Sequence, residues 1–308
     1  MSNEYISRKR LVSLLREILD ELEPQGILLS GGIDSGLLAC LMPQLKAITV
    51  MFEDRAQDKP YIDILERHLG LRVETVKVSM EEALSAIPTV IRILRSFDPA
   101  LPNDLAVYFG LKALAERGTK RVATGDGGDE LFGGYPYMAE VEDLNGYIKE
   151  ILPQLYFSST QIGAHLGVQV VQPYLHPRMV EFSLAVPSEF KIRRDGGKVW
   201  EKWILRKALE AFLPEDFAWQ EKRPLEIGSG MAALRSRIAQ GISDGEFREK
   251  AEKYRMTFYC KEHLYFYEIF REVVNDIPPP SVGEIPCPNC GAGKPPGRKH
   301  CRVCGVMA

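Results

Sequence analysis

Four short apolar or β-branched runs, GILLS, AITVMF, LRVETVKV and KRVATG, are separated by amphipathic stretches around residues 35–43, 58–69, 80–95 and 104–117. Strands spaced by helices of that length are joined by right-handed βαβ crossovers and lie parallel in one sheet. Such a sheet takes its ligands at the carboxyl ends of its strands. Two of these ends are unusual. Ser30-Gly31-Gly32 follows the first run, and Gly125-Asp126-Gly127-Gly128-Asp129-Glu130 follows the fourth. Both are expected on one rim of the sheet.

Around this α/β centre the pattern is helical. Ile6, Leu11, Leu14, Leu15, Ile18, Leu19 and Leu22 recur at helical spacing over 5–22, and Pro24 and Gly26 end that helix. From about 140 to 275 the chain is mainly helical, and Trp200, Trp203, Leu205, Leu209 and Phe212 predict one packed helix. DIPPPSVGEIP, residues 276–286, reads as a stiff Pro-rich linker, and 287–308 as a separate small module. The expected organisation is therefore one domain over 1–275, a linker, and the module. A chain of 308 residues accommodates one domain of roughly 250 residues and an appendage. No apolar run approaches the roughly 18 to 20 residues of a membrane span. The N-terminal stretch carries charges throughout and lacks a signal-peptide core. A cytoplasmic location with no membrane contact is expected. The net charge of -3 opposes broad coating of nucleic acid.

A glycine-lined turn between strand and helix presents backbone N–H groups at the positive end of the helix dipole and lets a phosphate come close. Ser30-Gly31-Gly32 is such a cradle, though glycines there also serve a tight turn, with Asp34 capping the helix. Asp34 would repel a phosphate unless a divalent cation bridged the two. The stretch is not a Walker loop, because no G-K-[ST] follows. TGDGGDELFGGY, residues 124–135, adds three carboxylates, Asp126, Asp129 and Glu130, among five glycines. Like charges at a strand end lower stability, so a metal-bound, phosphate-bearing or cationic ligand is expected to relieve them.

Ser30-Gly31-Gly32-Ile33-Asp34-Ser35 resembles the pyrophosphate loop of ATP pyrophosphatases, and TGDGGDELFGGY resembles the second signature of the asparagine synthase domain. KRPLEIGSG, Lys222 to Gly230, is similar to that family's late K-x5-G-x-G segment. The likeness covers roughly residues 10–240. It implies an adenine-nucleotide α-hydrolase-like fold with helices on both faces of the sheet. It also implies an amidotransferase-like activity: ATP is split between its α- and β-phosphates, a carboxylate becomes an acyl-adenylate, and ammonia or another amine attacks it. By position, Ser30, Gly31, Gly32 and Ser35 would hold pyrophosphate, Leu28 and Val50 would lie along the adenosine, and Thr124 and Gly125 beside the nucleotide. Asp34 and Asp129 would coordinate Mg²⁺, and Lys222 would serve pyrophosphate or the tetrahedral intermediate. Asp126 and Glu130 would face the substrate.

The chain also departs from the pattern. Asp126 stands where the family often has Glu, and Gln169-Val170-Val171-Gln172-Pro173-Tyr174-Leu175-His176 replaces the usual E-x-R-V-P-F-L-D. Aspartate is therefore one candidate carboxylate among others. Glutamine-dependent members begin with a catalytic cysteine and a glutaminase domain, whereas here the loop is reached by residue 30. Free ammonia, another amine or a separate glutaminase subunit is expected to supply nitrogen.

In the tail, Cys287-x2-Cys290-x10-Cys301-x2-Cys304 has the spacing of a tetrahedral Zn²⁺ site, and four thiolates leave no open position, which makes that zinc structural. His300 is a possible substitute for Cys301. Lys294, Arg298, Lys299, His300 and Arg302 make the ribbon basic, suiting tRNA or an acidic carrier protein, or merely balancing thiolate charge. Cys40 and Cys260 are expected as core or partly buried thiols. A second reading follows, a pyrophosphate-loop enzyme that adenylates a tRNA base and docks RNA through the ribbon. A third is a silent ATP-binding module.

Overall fold

In the computed structural model, which describes residues 3–307, all four apolar runs enter one five-stranded sheet. They form β1 (Gly26–Leu28), β2 (Lys46–Phe52), β3 (Val73–Val78) and β4 (Arg121–Ala123), and β5 (Gln169–Val171) joins them. The order is β3-β2-β1-β4-β5. Gly26 lies opposite both Lys46 and Val122, and Arg121 opposite Gln169, all in parallel register. Successive strands build outward from β1 to β3, and the chain then returns to add β4 on the other side of β1. The direction of winding thus reverses between β1 and β4, which opens a crevice at their carboxyl ends.

The connecting helices are α1 (Asn3–Leu22) before the sheet, then α2 (Ile33–Leu41), α3 (Lys59–Leu69), α4 (Met80–Leu94), α5 (Leu101–Glu116) and α6 (Gly128–Phe132). Leu11, Leu14, Leu15, Ile18 and Leu19 of α1 are buried, as their spacing predicts, whereas Ile6 is 53% exposed. Each buried leucine or isoleucine contributes about 1.5–3 kcal/mol, which holds α1 against α2 and the helix Trp203–Leu209. That helix is shorter than predicted. Gly196 and Gly197 both adopt positive φ, 57° and 78°, and turn the chain so that Arg193–Asp195 pairs with Lys198–Trp200 as a hairpin. Trp200 belongs to this hairpin, and the helix begins only at Trp203.

The described chain divides into two compact units, neither contiguous in sequence. Met1–Val50, Gln57–Val76 and Gly110–Pro224 form the first, and Met51–Ala56, Lys77–Phe109 and Leu225–Ala308 the second. These units do not coincide with the division expected at residue 275. In the second, Ser79 and Glu82 form a reciprocal capping box at the start of α4. α4 packs on the helices Lys261–Val273 and Ala233–Gln240. Phe97 packs tilted and edge-on against Tyr267 and Phe270, at centroid distances of 4.9 and 5.1 Å.

The cysteine-bearing tail belongs to this second unit. Phe97 N donates to Val303 O at 2.7 Å and Ser96 Oγ to the same oxygen at 3.2 Å. His300 pairs with Asp98 at 2.9 Å, and Asn289 exchanges hydrogen bonds with Thr257. The 276–286 stretch is not a detached spacer either. Ile285–Pro286 pairs with Gly293–Lys294, and Gly293 N donates to Pro278 O. No described helix is long and apolar enough to cross a membrane.

One buried charge in the first unit makes a measurable prediction. Lys191 is wholly buried, its Nζ donates to Asn145 Oδ1 at 2.6 Å, and burial pushes its ammonium down to about 7. A lysine whose pKa is lower folded than unfolded binds fewer protons when folded, so it lets stability rise with pH between the two values. Lys191→Met removes this dependence. Its stability gain over the parent should shrink by about 2 kcal/mol between pH 7 and pH 9, in urea denaturation at the two pH values. Parallel behaviour of the two proteins would show that Lys191 does not titrate there.

Candidate functional site

The two strand-end loops meet in the crevice of the first unit. Gly128 is the point of closest approach: a Cβ there would fall 2.6 Å from the Asp34 carboxyl carbon. Gly125 likewise borders Asp34 and the Ser35 backbone. The Ser30–Ser35 loop is closed on itself, with Ser30 N donating to Ser35 Oγ at 3.2 Å and the two hydroxyls 3.2 Å apart. No side chain caps the N-terminus of α2 behind Gly32. Its first N–H groups thus lack a side-chain acceptor at the positive end of the helix dipole. Fully buried Tyr174, in the segment after β5, donates its hydroxyl to Asp34 O at 3.0 Å and fixes the first turn of α2.

Asp34 and Asp129 are brought together here, and two lysines answer their charge. Lys202 Nζ ion-pairs with Asp34 Oδ2 and lies 2.7 Å from Asp129 Oδ1. Lys222 Nζ lies 2.6 Å from the same Asp129 oxygen and donates to Gly134 O at 2.6 Å. Burial raises the Asp34 carboxyl above its ordinary value, against the pull of Lys202. Burial also opposes the charge on Asp129, but Lys202 and Lys222 outweigh it and hold that carboxyl low. Burial disfavours the Lys202 ammonium too, yet Asp129 and Asp34 together hold it well above its ordinary value. The second oxygen of Asp34, Oδ1, is buried and accepts no hydrogen bond among the described residues. Two carboxylates, one with an unsatisfied oxygen, fit a hard divalent cation.

Lys202 carried no signal in the sequence, because a lone lysine ahead of an apolar helix is ordinarily a surface residue. The fold buries it through a left-handed backbone, φ 54°, at the N-terminus of Trp203–Leu209. Arg206, 2% exposed, holds both lysine-bearing segments together. Its guanidinium donates to Glu201 O at 2.8 Å, Ala218 O at 3.0 Å and Gln220 O at 2.8 Å. Gln220 in turn donates to Gly31 O at 3.1 Å, which links this frame to the serine-glycine loop. Arg206→Met leaves three carbonyls without their charged donor and should cost about 3 kcal/mol. The loss would be read by chemical denaturation, and an unchanged midpoint would exclude the strut.

The remaining residues singled out in the sequence occupy distinct surroundings. Leu28 is half-buried and Val50 buried, and both crowd the place a Cβ at Gly110 of α5 would take. Thr124 is 4% exposed and donates to Asp126 Oδ2 at 2.7 Å. Asp126 receives also Ser159 Oγ at 2.5 Å and Gln172 Nε2 at 3.0 Å on that same oxygen. Glu130 accepts the Tyr135 hydroxyl at 2.6 Å, and burial raises its pKa. The Lys222 ammonium lies 4.2 Å from the centre of the Tyr135 ring, a cation–π contact that the sequence reading did not include.

In the second unit the four cysteine ligand atoms lie within 4.8 Å of one another. Cys287 and Cys304 Sγ are 3.8 Å apart, as are Cys290 and Cys301. Zinc–sulfur bonds of about 2.3 Å in a tetrahedron give sulfur–sulfur edges of about 3.8 Å, so the cluster fits zinc. His300 is engaged by Asp98. Of the five basic residues, Lys294 is buried, Arg298 is half-buried and His300 is paired with Asp98, while Lys299 and Arg302 are exposed. Cys40 is buried and Cys260 half-buried, and burial raises both thiols, to about 12 and about 11.

Much of the chain is similar to known proteins. A probable glutamine-hydrolyzing asparagine synthetase of Dictyostelium discoideum is 27% identical over 264 residues, covering 74% of this chain and 47% of that protein. Asparagine synthetase B of Escherichia coli is 25% identical over 290 residues, covering 85% and 51%. The chain thus spans about half the length of these curated relatives. A solved structure of NMN synthetase from Francisella tularensis aligns with 78% of the chain at 15% identity and a TM-score of 0.30, too slight a likeness to inform the chemistry. The asparagine synthase profile matches residues 8–147 and 147–275, a span that includes both strand-end loops, Lys202 and Lys222, and by this match the chain belongs to the asparagine synthase family.

Proposed function

We propose that the protein is an ATP-dependent, AMP-forming amide ligase. It adenylates a small carboxylate and passes the acyl group to ammonia or another amine. The observation that carries this reading is the convergence of Asp34, Asp129, Lys202 and Lys222 beside the Ser30–Ser35 loop. In this reading the loop N–H groups and the hydroxyls of Ser30 and Ser35 receive the pyrophosphate part of ATP. Leu28 and Val50 border the adenosine, and Thr124 and Gly125 line the nucleotide.

The substrate carboxylate attacks the α-phosphorus, the α–β bridge bond breaks, and pyrophosphate leaves. Lys202 and Lys222 are held where negative charge then develops, and preorganised cations in a partly dry crevice lower that barrier most. Asp34 and Asp129 would hold Mg²⁺, which when bound neutralises phosphate charge. An amine then attacks the acyl carbon and AMP departs. Zinc, held by Cys287, Cys290, Cys301 and Cys304, serves structure. Aspartate is one possible acid, and the nitrogen comes from ammonia, a free amine or a separate glutaminase subunit. A tRNA partner has less support, because burial of Lys294 and pairing of His300 shrink the basic face of the ribbon.

Pyrophosphate release from ATP and Mg²⁺ by the zinc-loaded protein, across amino acids with ammonia and separately with bulk tRNA, tests the reading. Release that requires an acid supports the ligase, and release only with tRNA overturns it. Parent-rate release by Asp34→Ala or Asp129→Ala would sink the metal roles.

A further inference from the structure

Asp58 stands just before α3, where an aspartate ordinarily accepts the first N–H groups of its helix. It makes no capping hydrogen bond. Its carboxylate goes to Arg223 instead, whose Nε and Nη2 both donate to Asp58 Oδ1 at 3.3 Å, and Asp58 is only 6% exposed. Arg223 Nη2 also donates to Gln220 Oε1 at 2.6 Å, and the guanidinium lies 4.2 Å from the centre of the Tyr61 ring. Carboxylate, amide and aromatic ring together fix one planar cation.

These contacts close on the serine-glycine loop. Gln220 Nε2 donates to Gly31 O at 3.1 Å. Gly31 adopts φ 68°, and a Cβ there would fall 3.0 Å from Asp58 Cβ and 3.3 Å from Asp58 O. Gly31, Gln220, Arg223 and Asp58 therefore form a ring of contacts, and Lys222, the residue before Arg223, extends to Asp129 and Gly134 O. Stability does not account for the ring. Burial disfavours the Asp58 carboxylate more than Arg223 favours it, and raises it to about 6. A buried pair of this kind adds little over well-packed apolar side chains of similar volume. What it does supply is a fixed backbone at Arg223, and a flexible lysine stem holds its ammonium in one place only when its base is fixed.

We propose that Arg223, clamped by Asp58 and Gln220, is a positioning residue that fixes Lys222 relative to the Ser30–Ser35 loop. The placement of Lys222 stands on these contacts, whereas its kinetic consequence rests on the ligase reading. In that reading Arg223 acts through Lys222 and not on the substrate.

Acetylation of lysines by an N-hydroxysuccinimide ester, read by mass spectrometry on the full zinc-loaded chain without ATP and below the melting transition of each variant, follows Lys222 directly. Arg223→Gln and Asp58→Asn should each raise the labelling rate of Lys222 about tenfold, the effect of losing one charged hydrogen-bonded partner. Buried Lys191, which reports general loosening of the same unit, should label as in the parent. The double variant should label no faster than the faster single one, because both remove the same pair. Arg223→Lys, which keeps a cation beside Asp58, should restore most of the protection. Unchanged labelling of Lys222 in both single variants, or a gain equalled at Lys191, overturns the proposal.

In pyrophosphate release, Arg223→Gln should lower kcat about ten- to a hundredfold, the scale of a small misplacement, while the KM for ATP stays within about threefold. A merely structural pair would lower the melting temperature and leave kcat of the folded protein alone, an outcome that also overturns the proposal. In a Lys222→Met background the same change should cost less than about twofold. An equal factor in both backgrounds shows that Arg223 does not act through Lys222, which defeats the positioning role and leaves the ligase reading standing. A parent that releases no pyrophosphate with any acid defeats the ligase reading instead, and the labelling then decides the placement of Lys222 by itself.

Discussion

Lys202→Met should lower pyrophosphate release by about a hundred- to a thousandfold, the usual cost of deleting one preorganised charge partner of a transition state. It should also destabilise the first unit by about 3 kcal/mol, because Asp34 and Asp129 would be left facing each other in a buried crevice. A third effect separates the site from a merely structural ion pair. With its ammonium gone, the carboxylate pair should bind a divalent cation more tightly than the parent does in the absence of nucleotide. Mn²⁺ titration followed by electron paramagnetic resonance reads this directly. The three effects belong together, because in the parent Lys202 contacts both acids. Weaker Mn²⁺ binding in the variant would mean that Asp34 and Asp129 are not a cation site.

Removal of zinc should produce the other large effect. Zinc bound to four thiolates contributes about 10 kcal/mol or more to folding of an isolated module. Here the cluster is packed into the second unit through Phe97, Ser96 and His300. Chelation, or Cys301→Ser, should therefore lower the melting temperature of that unit rather than unravel the tail alone. Hydrogen exchange should rise at Ser96–Asp98 as well as within 287–307. Zinc analysis should find one ion per parent chain. Protection at Ser96–Asp98 that survives complete chelation would show that the ribbon folds without supporting its neighbours.

The family was legible because its marks lie in short contiguous motifs. The Ser30–Ser35 loop, the Asp126–Glu130 acids and the cysteine pairs are local patterns whose residue types have few other uses together. The four foreseen strands and the helices between them were legible for a related reason, since hydrophobic periodicity follows directly from burial. The departures have physical causes too. β5 is no shorter than β1 or β4, but it lies within a stretch that reads as mainly helical, and its pairing with β4 is what makes it a strand. The hairpin that moved Trp200 out of its predicted helix turns on Gly196-Gly197, two residues that the apolar spacing passes over. The ribbon, expected to stand apart, is drawn into the second unit by hydrogen bonds to residues some two hundred positions earlier.

Sequence by itself determined the class of fold, the two glycine-rich strand-end loops and the spacing of the four cysteines, because each depends on near neighbours in the chain. Tertiary structure decided which charges meet. Asp34, Asp129, Lys202 and Lys222 are scattered over nearly two hundred residues, and the reversal of strand order between β1 and β4 is what gathers them. A buried lysine between two aspartates depends on long-range packing, through the left-handed turn at Lys202 and the Arg206 strut, and no local pattern of residues encodes it.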